Sequence, residues 1–221
     1  MCQGATRHAR LIPWSVWVLA ALCALPELVL LGADWGLWGS ARWRPLAYTQ
    51  GAFWAGLFYG WTPNFALQPV TMFFSYAWLH TGPGHLVGNL AALFWLGPQV
   101  VARRGNGGLI LLWCTAALGG GAAFGLLTTS PAPMVGASGA LFGLAVDWVV
   151  ADVRRTKQWR ARTLRGLGLI TLLLALNAAM WALQGGQLAW ETHLGGFLAG
   201  LVLGALCRHQ NKGMAAHGTT L

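Results

Sequence analysis

The chain has 221 residues, 56% of them hydrophobic and only 9% charged, with a formal net charge of +9. A soluble domain is about one quarter charged, so this balance excludes an ordinary soluble domain and indicates a membrane protein. Nor does the positive charge indicate nucleic acid: twelve of the fourteen Lys and Arg lie in four clusters beside apolar segments, with no basic stripe interleaved with aromatics.

Six apolar segments follow one another along the chain, at about 11–33, 83–102, 108–128, 134–151, 166–184 and 188–207. Most approach the ~20 residues that a bilayer core requires. The first follows Arg7 and Arg10 and so imitates a signal peptide. It exceeds a typical h-region and lacks a small-x-small cleavage site, which predicts a retained span. Residues 34–82 form a long first loop rich in Trp. Within it, 45–62 is apolar enough to pass for a span, but a crossing there would invert every later segment. The reading adopted is an interfacial hairpin, with its Trp rings at the membrane surface.

The basic clusters are Arg7 with Arg10, Arg103 with Arg104, Arg154 through Arg165, and Arg208 with Lys212. The positive-inside rule then places both termini in the cytoplasm, residues 1–10 as a short N-terminus and 208–221 as a polar tail. Segments two, four and six run from outside to inside. Cys2, Cys23, Cys114 and Cys207 show neither paired nor metal-binding spacing and read as free thiols. No internal repeat is evident, which argues against an inverted-repeat transporter.

Three polar motifs interrupt this apolar background: His80-x4-His85-x3-Asn89, Gly136-Ala137-Ser138-Gly139, and Thr192-His193-Leu194-Gly195-Gly196. At 1.5 Å per residue, Ser138, Asn89 and His193 fall about 6, 9 and 8 Å in from the outer ends of their segments. Ionisable groups are costly in hydrocarbon, so their convergence on one layer is a functional signal. Ser138 supplies a hydroxyl at a helix start, where unpaired N–H groups favour an oxyanion. Gly136 and Gly139 free the backbone around it. Gly196, Gly200 and Gly204 repeat along the His193 helix, and Gly139 and Gly143 along the serine helix. Packing these small faces together would bring imidazole to hydroxyl.

Asn89 and His85 lie one turn apart and can donate to one oxygen. Phe142 can pack on the imidazole, and His80 can brace the loop before Asn89. No carboxylate completes a triad: Glu191 faces elsewhere, Asp147 lies about 13 Å deeper than Ser138, and Glu27 is read as a polar break in the first span. A Ser–His dyad follows. Two histidines five residues apart without a third ligand do not make a zinc site.

These motifs resemble those of the rhomboid intramembrane serine proteases. Met134 through Leu144 is similar to that family's nucleophile motif, His193 through Gly200 to its histidine helix, and His80-x4-His85-x3-Asn89 to its second-helix signature. The resemblance implies an all-α, six-span bundle over about residues 11–207 with an interfacial first loop. It implies Ser138 as nucleophile and His193 as general base, with His85, Asn89 and the Ser138 N–H as oxyanion hole. By the resemblance it would hydrolyse peptide bonds in or near transmembrane segments of other proteins in the lipid bilayer, without metal or cofactor. The expected setting is a bacterial-style inner membrane, with the site opening to the outer side. A sorting-tail protease of the rhombosortase kind, or an inactive relative that binds membrane clients, is the alternative.

Overall fold

The computed structural model describes residues 11–183 and 188–206; the expected N-terminus (1–10) and tail (208–221) lie outside the described residues. The described chain is helical: α1 (Trp14–Asp34), α2 (Trp43–Gly51), α3 (Gln68–Ser75), α4 (Pro83–Leu127), α5 (Ser138–Arg155), α6 (Trp159–Leu183) and α7 (Trp190–Leu206). Two 3-10 turns, Ala55–Tyr59 and Tyr76–Trp78, flank α3. Among the described residues three helices are long and apolar enough to cross a membrane, at Trp14–Asp34, Pro83–Leu127 and Trp159–Ala179.

At Gly105 the 45-residue α4 breaks, with φ 74° and ψ 175°. That conformation is open to glycine and closed to most side chains. The break divides α4 where the sequence places a turn between its second and third apolar segments. Asp147 of α5 fastens this turn. One of its oxygens accepts from Arg103 Nη2 at 3.0 Å and the other from Arg104 Nε at 2.9 Å. Nine residues past Ser138, the carboxylate is fully buried and neutralised from outside its own helix.

The stretch 45–62 is divided between α2 and the first 3-10 turn. A nine-residue helix is only about 14 Å long, too short to span. Arg44, on α2, ties this loop to the bundle. Its guanidinium meets the buried Glu27 carboxylate of α1 in two bonds, at 2.9 and 3.0 Å, and donates to Asp34 at 2.6 Å. Glu27 is therefore an ion-pair anchor rather than a mere polar break. Removing one partner of such a buried pair costs about 3–5 kcal/mol.

Lipid offers no hydrophobic drive for helix association, so close packing of small residues must do that work. Here α7 wedges between α5 and the second half of α4. A Cβ on Gly196 would stand 1.9 Å from the Gly139 carbonyl oxygen, and one on Gly200 would stand 2.4 Å from that of Gly143. The opposite side of α7 is equally tight: a Cβ on Gly195 would lie 2.1 Å from the Gly119 carbonyl oxygen. Gly119 and Gly120 thus offer α7 a second small-residue face, one the sequence reading did not use, while Gly121 faces Phe53 and Phe73. Gly139 belongs to this packing, its Cα facing the Thr192 carbonyl, rather than to the freedom of the serine loop.

Helix limits differ from the apolar segments in two places. Ser138 opens α5, and residues 134–137 are a non-helical approach to it that ends in a turn at Ala137. At the other end of the connection α6 begins at Trp159, seven residues before its apolar run, and carries Arg160, Arg162 and Arg165 in its first turns.

Candidate functional site

Two loops build the site around the start of α5. Phe53 and Met134 exchange backbone hydrogen bonds at 2.9 Å in each direction, and the Gly136 N–H donates to the Tyr76 carbonyl at 2.9 Å. The first loop therefore holds the segment that delivers Ser138. Phe53 is fully buried and meets Phe58, Phe73, Tyr76 and Phe124 edge-on, with centroids 5.0–6.0 Å apart. Such contacts give the loop a rigid root.

Gly136 has φ +127°, a conformation costly for any side chain. A Cβ there would also lie 2.6 Å from His85 Cε1, 2.8 Å from His85 Nε2 and 3.8 Å from Asn89 Nδ2. Both side chains of the α4 motif thus point at the backbone two residues before Ser138. The Asn89 amide nitrogen is buried and has no hydrogen-bond acceptor among the described residues. Such an orphan donor is costly unless another group receives it. The Thr81 hydroxyl lies 3.1 Å from His85 Nδ1, with the Thr81 N–H behind it at 3.5 Å. A backbone N–H can only donate, so Nδ1 accepts and the ring proton sits on Nε2, the nitrogen facing Gly136.

His193 lies near the start of α7, 2% exposed, and its Nε2 is 2.8 Å from the half-buried Ser138 Oγ. Phe142, one turn beyond Ser138, stacks on the imidazole with centroids 4.3 Å apart and planes 9° from parallel. The other ring nitrogen, Nδ1, is 2.5 Å from Asn177 Oδ1 on α6. Asn177 was missed in the sequence reading, which looked for a carboxylate in this place. Its signal was available: an amide in an apolar run from Leu172 to Leu183 must find a partner on another helix.

His80 is buried under the site. Its carbonyl accepts from Arg44 Nη1 at 2.9 Å and from the Tyr48 hydroxyl at 2.7 Å, and its ring meets His85 edge-on at 5.1 Å. Burial, chiefly, and then the proximity of His85 push its pKa down to about 4, with only the Trp78 carbonyl favouring the charged form. Among the described residues no group of three or more His, Cys, Asp or Glu is placed to hold a metal ion.

A hydroxyl touching an imidazole, with donors gathered beside it, is an arrangement able to form and hold a tetrahedral oxyanion. A model of the Rhomboid domain matches residues 68–210, which include Ser138, His193, His85, Asn89, Phe142, Asn177 and His80. The chain belongs to the rhomboid family. It is 33% identical over 129 residues to RHOMBOID-like protein 2 of Arabidopsis thaliana and 30% identical over 131 residues to RHOMBOID-like protein 1 of the same plant. These matches cover 58% and 59% of this chain but only 39% and 33% of those relatives' lengths. Rhomboid membership and the apolar helices together make it an integral membrane protein.

Proposed function

We propose that this rhomboid-family chain is an intramembrane serine protease that hydrolyses peptide bonds in or near transmembrane segments of other proteins. The observation that carries the reading is the 2.8 Å contact between Ser138 Oγ and His193 Nε2. Ser138 Oγ attacks the scissile carbonyl carbon while its proton passes to His193 Nε2. The oxyanion forms against Asn89 Nδ2, His85 Nε2–H and the Ser138 N–H. The tetrahedral species collapses to an ester on Ser138, and the proton on Nε2 leaves with the amine. Water then hydrolyses the ester with His193 again acting as base.

The six-span architecture is part of this proposal: α1, the two halves of α4, α5, α6 and α7, with the basic clusters toward the cytoplasm and the site near the outer surface. In a bacterial-style inner membrane both termini are cytoplasmic. An active site ~6–9 Å below the surface requires a free carbonyl, so the client unwinds locally near its outer end, aided by Gly, Pro or polar residues.

The test is cleavage of a model transmembrane substrate by wild type, Ser138→Ala, His193→Ala and the double variant. Each single substitution abolishes cleavage and the double is no worse, because the two act as one unit. Activity above a few per cent in Ser138→Ala overturns the assignment.

A further inference from the structure

We propose that Asn177 is a positioning residue for His193: its side-chain oxygen selects the imidazole tautomer that can take the Ser138 proton. The inference rests on the reading of Ser138 and His193 as nucleophile and base. A carboxamide oxygen can only accept, so the 2.5 Å contact puts the ring proton on His193 Nδ1. A neutral imidazole has one N–H, which leaves Nε2 with a lone pair facing Ser138 Oγ at 2.8 Å. In the opposite tautomer Nε2–H would point at Oγ and could not remove its proton. Which ring nitrogen is protonated is set by the bond the other one makes.

Phe142 does not decide the matter. A ring stacked 9° from parallel fixes the imidazole plane, but an aromatic face does not distinguish Nδ1 from Nε2. Nor does a carboxylate stand in for the amide, since Asp147 is engaged with Arg103 and Arg104. The chemistry suits the place. When Nε2 gains the proton, the amide dipole stabilises the imidazolium through Nδ1–H, without a permanent charge in a layer where charge is expensive. Asn177 comes from neither of the helices that carry Ser138 and His193. The base is therefore correctly set only when α6 is seated against α7.

The experiment uses the full chain in proteoliposomes with a model transmembrane substrate, comparing wild type, Asn177→Leu and Asn177→Asp. Leu keeps the size of the side chain, is at home in a membrane helix and removes the acceptor; Asp keeps the acceptor. In Asn177→Leu, kcat falls about tenfold or more with KM near wild type, as expected when an imidazole loses the partner that orients it. Asn177→Asp recovers part of that loss. The nitrogen spectrum of histidine-labelled protein, with His193 assigned against His193→Ala, shows the Nδ1–H form in wild type and Asn177→Asp, and loss of that preference in Asn177→Leu. Wild-type kcat in Asn177→Leu overturns the proposal, as does a fall in kcat with the Nδ1–H signature intact, which would make Asn177 a packing residue. The spectrum is read whether or not the protein cleaves. An inactive wild type therefore counts against the protease reading, while the tautomer still decides the role of Asn177.

Discussion

A buried side chain that must stay neutral makes stability depend on pH. His80 is fully buried and its pKa is pushed from 6.5 to about 4. Between those values the unfolded chain binds a proton that the folded chain refuses. Stability therefore falls as pH drops from about 6.5 to about 4, by about 3 kcal/mol in all. Thermal unfolding in detergent at pH 7, 5.5 and 4 measures this, and His80→Gln flattens the slope relative to wild type. At this scale much was legible in the sequence. Ser138, His193, His85 and Asn89 stood out because polar groups in apolar helices are rare and need a reason to be there. Asn177 was passed over because a search for acids does not find an amide. The partners of Glu27 and Asp147 lie 17 and 44 residues away along the chain, in Arg44 and Arg103, beyond anything local spacing can reveal.

Between helices, what matters is how close two backbones come. The four-residue glycine repeats on α5 and α7 were readable, and the structure pairs Gly196 with Gly139 and Gly200 with Gly143. The third partner in that packing, Gly119 with Gly120 of α4, was not, because adjacent glycines make no four-residue repeat. The same contact that joins α5 to α7 sets the distance from Ser138 to His193, so stability and activity share one cause. In Gly196→Val the new side chain meets the Gly139 carbonyl with no flexible neighbour to yield. Overpacking of this kind costs about 1–3 kcal/mol or more. The expected outcome is a lower unfolding temperature together with a loss of cleavage larger than the unfolded fraction explains. Gly204→Ala is the control, since a Cβ there first meets Asp147 Oδ1 at 3.5 Å, an ordinary contact. Near-wild-type behaviour of Gly196→Val in both measurements would show that the two helices do not need to approach so closely.

Across the whole molecule, the proposed orientation rests on the basic clusters. Reporter fusions after Gly107 and Arg165 read as cytoplasmic, and fusions after Ser130 and Gly186 as external; inversion of all four would place the serine at the cytoplasmic face. The six crossings belong to the proposal: α5 carries Asp147, Asp152, Arg154 and Arg155, and α7 has only 17 residues, so neither stands out as a span by length and composition. The first loop was the least legible part. Its short helices are held by a salt bridge, an aromatic cluster and one backbone bridge, none of which leaves a periodic pattern. That bridge bears on how the protein can be cut down. The family match begins at residue 68, and a fragment trimmed to it would discard Phe53 along with α1 and α2. Met134 would then keep a buried N–H and a buried carbonyl with nothing to bond, each costing about 1–3 kcal/mol. Those orphans would sit four residues before the serine, in the strip of chain that aims it. For this protein the smallest unit able to hold Ser138 still is larger than the stretch the family model matches.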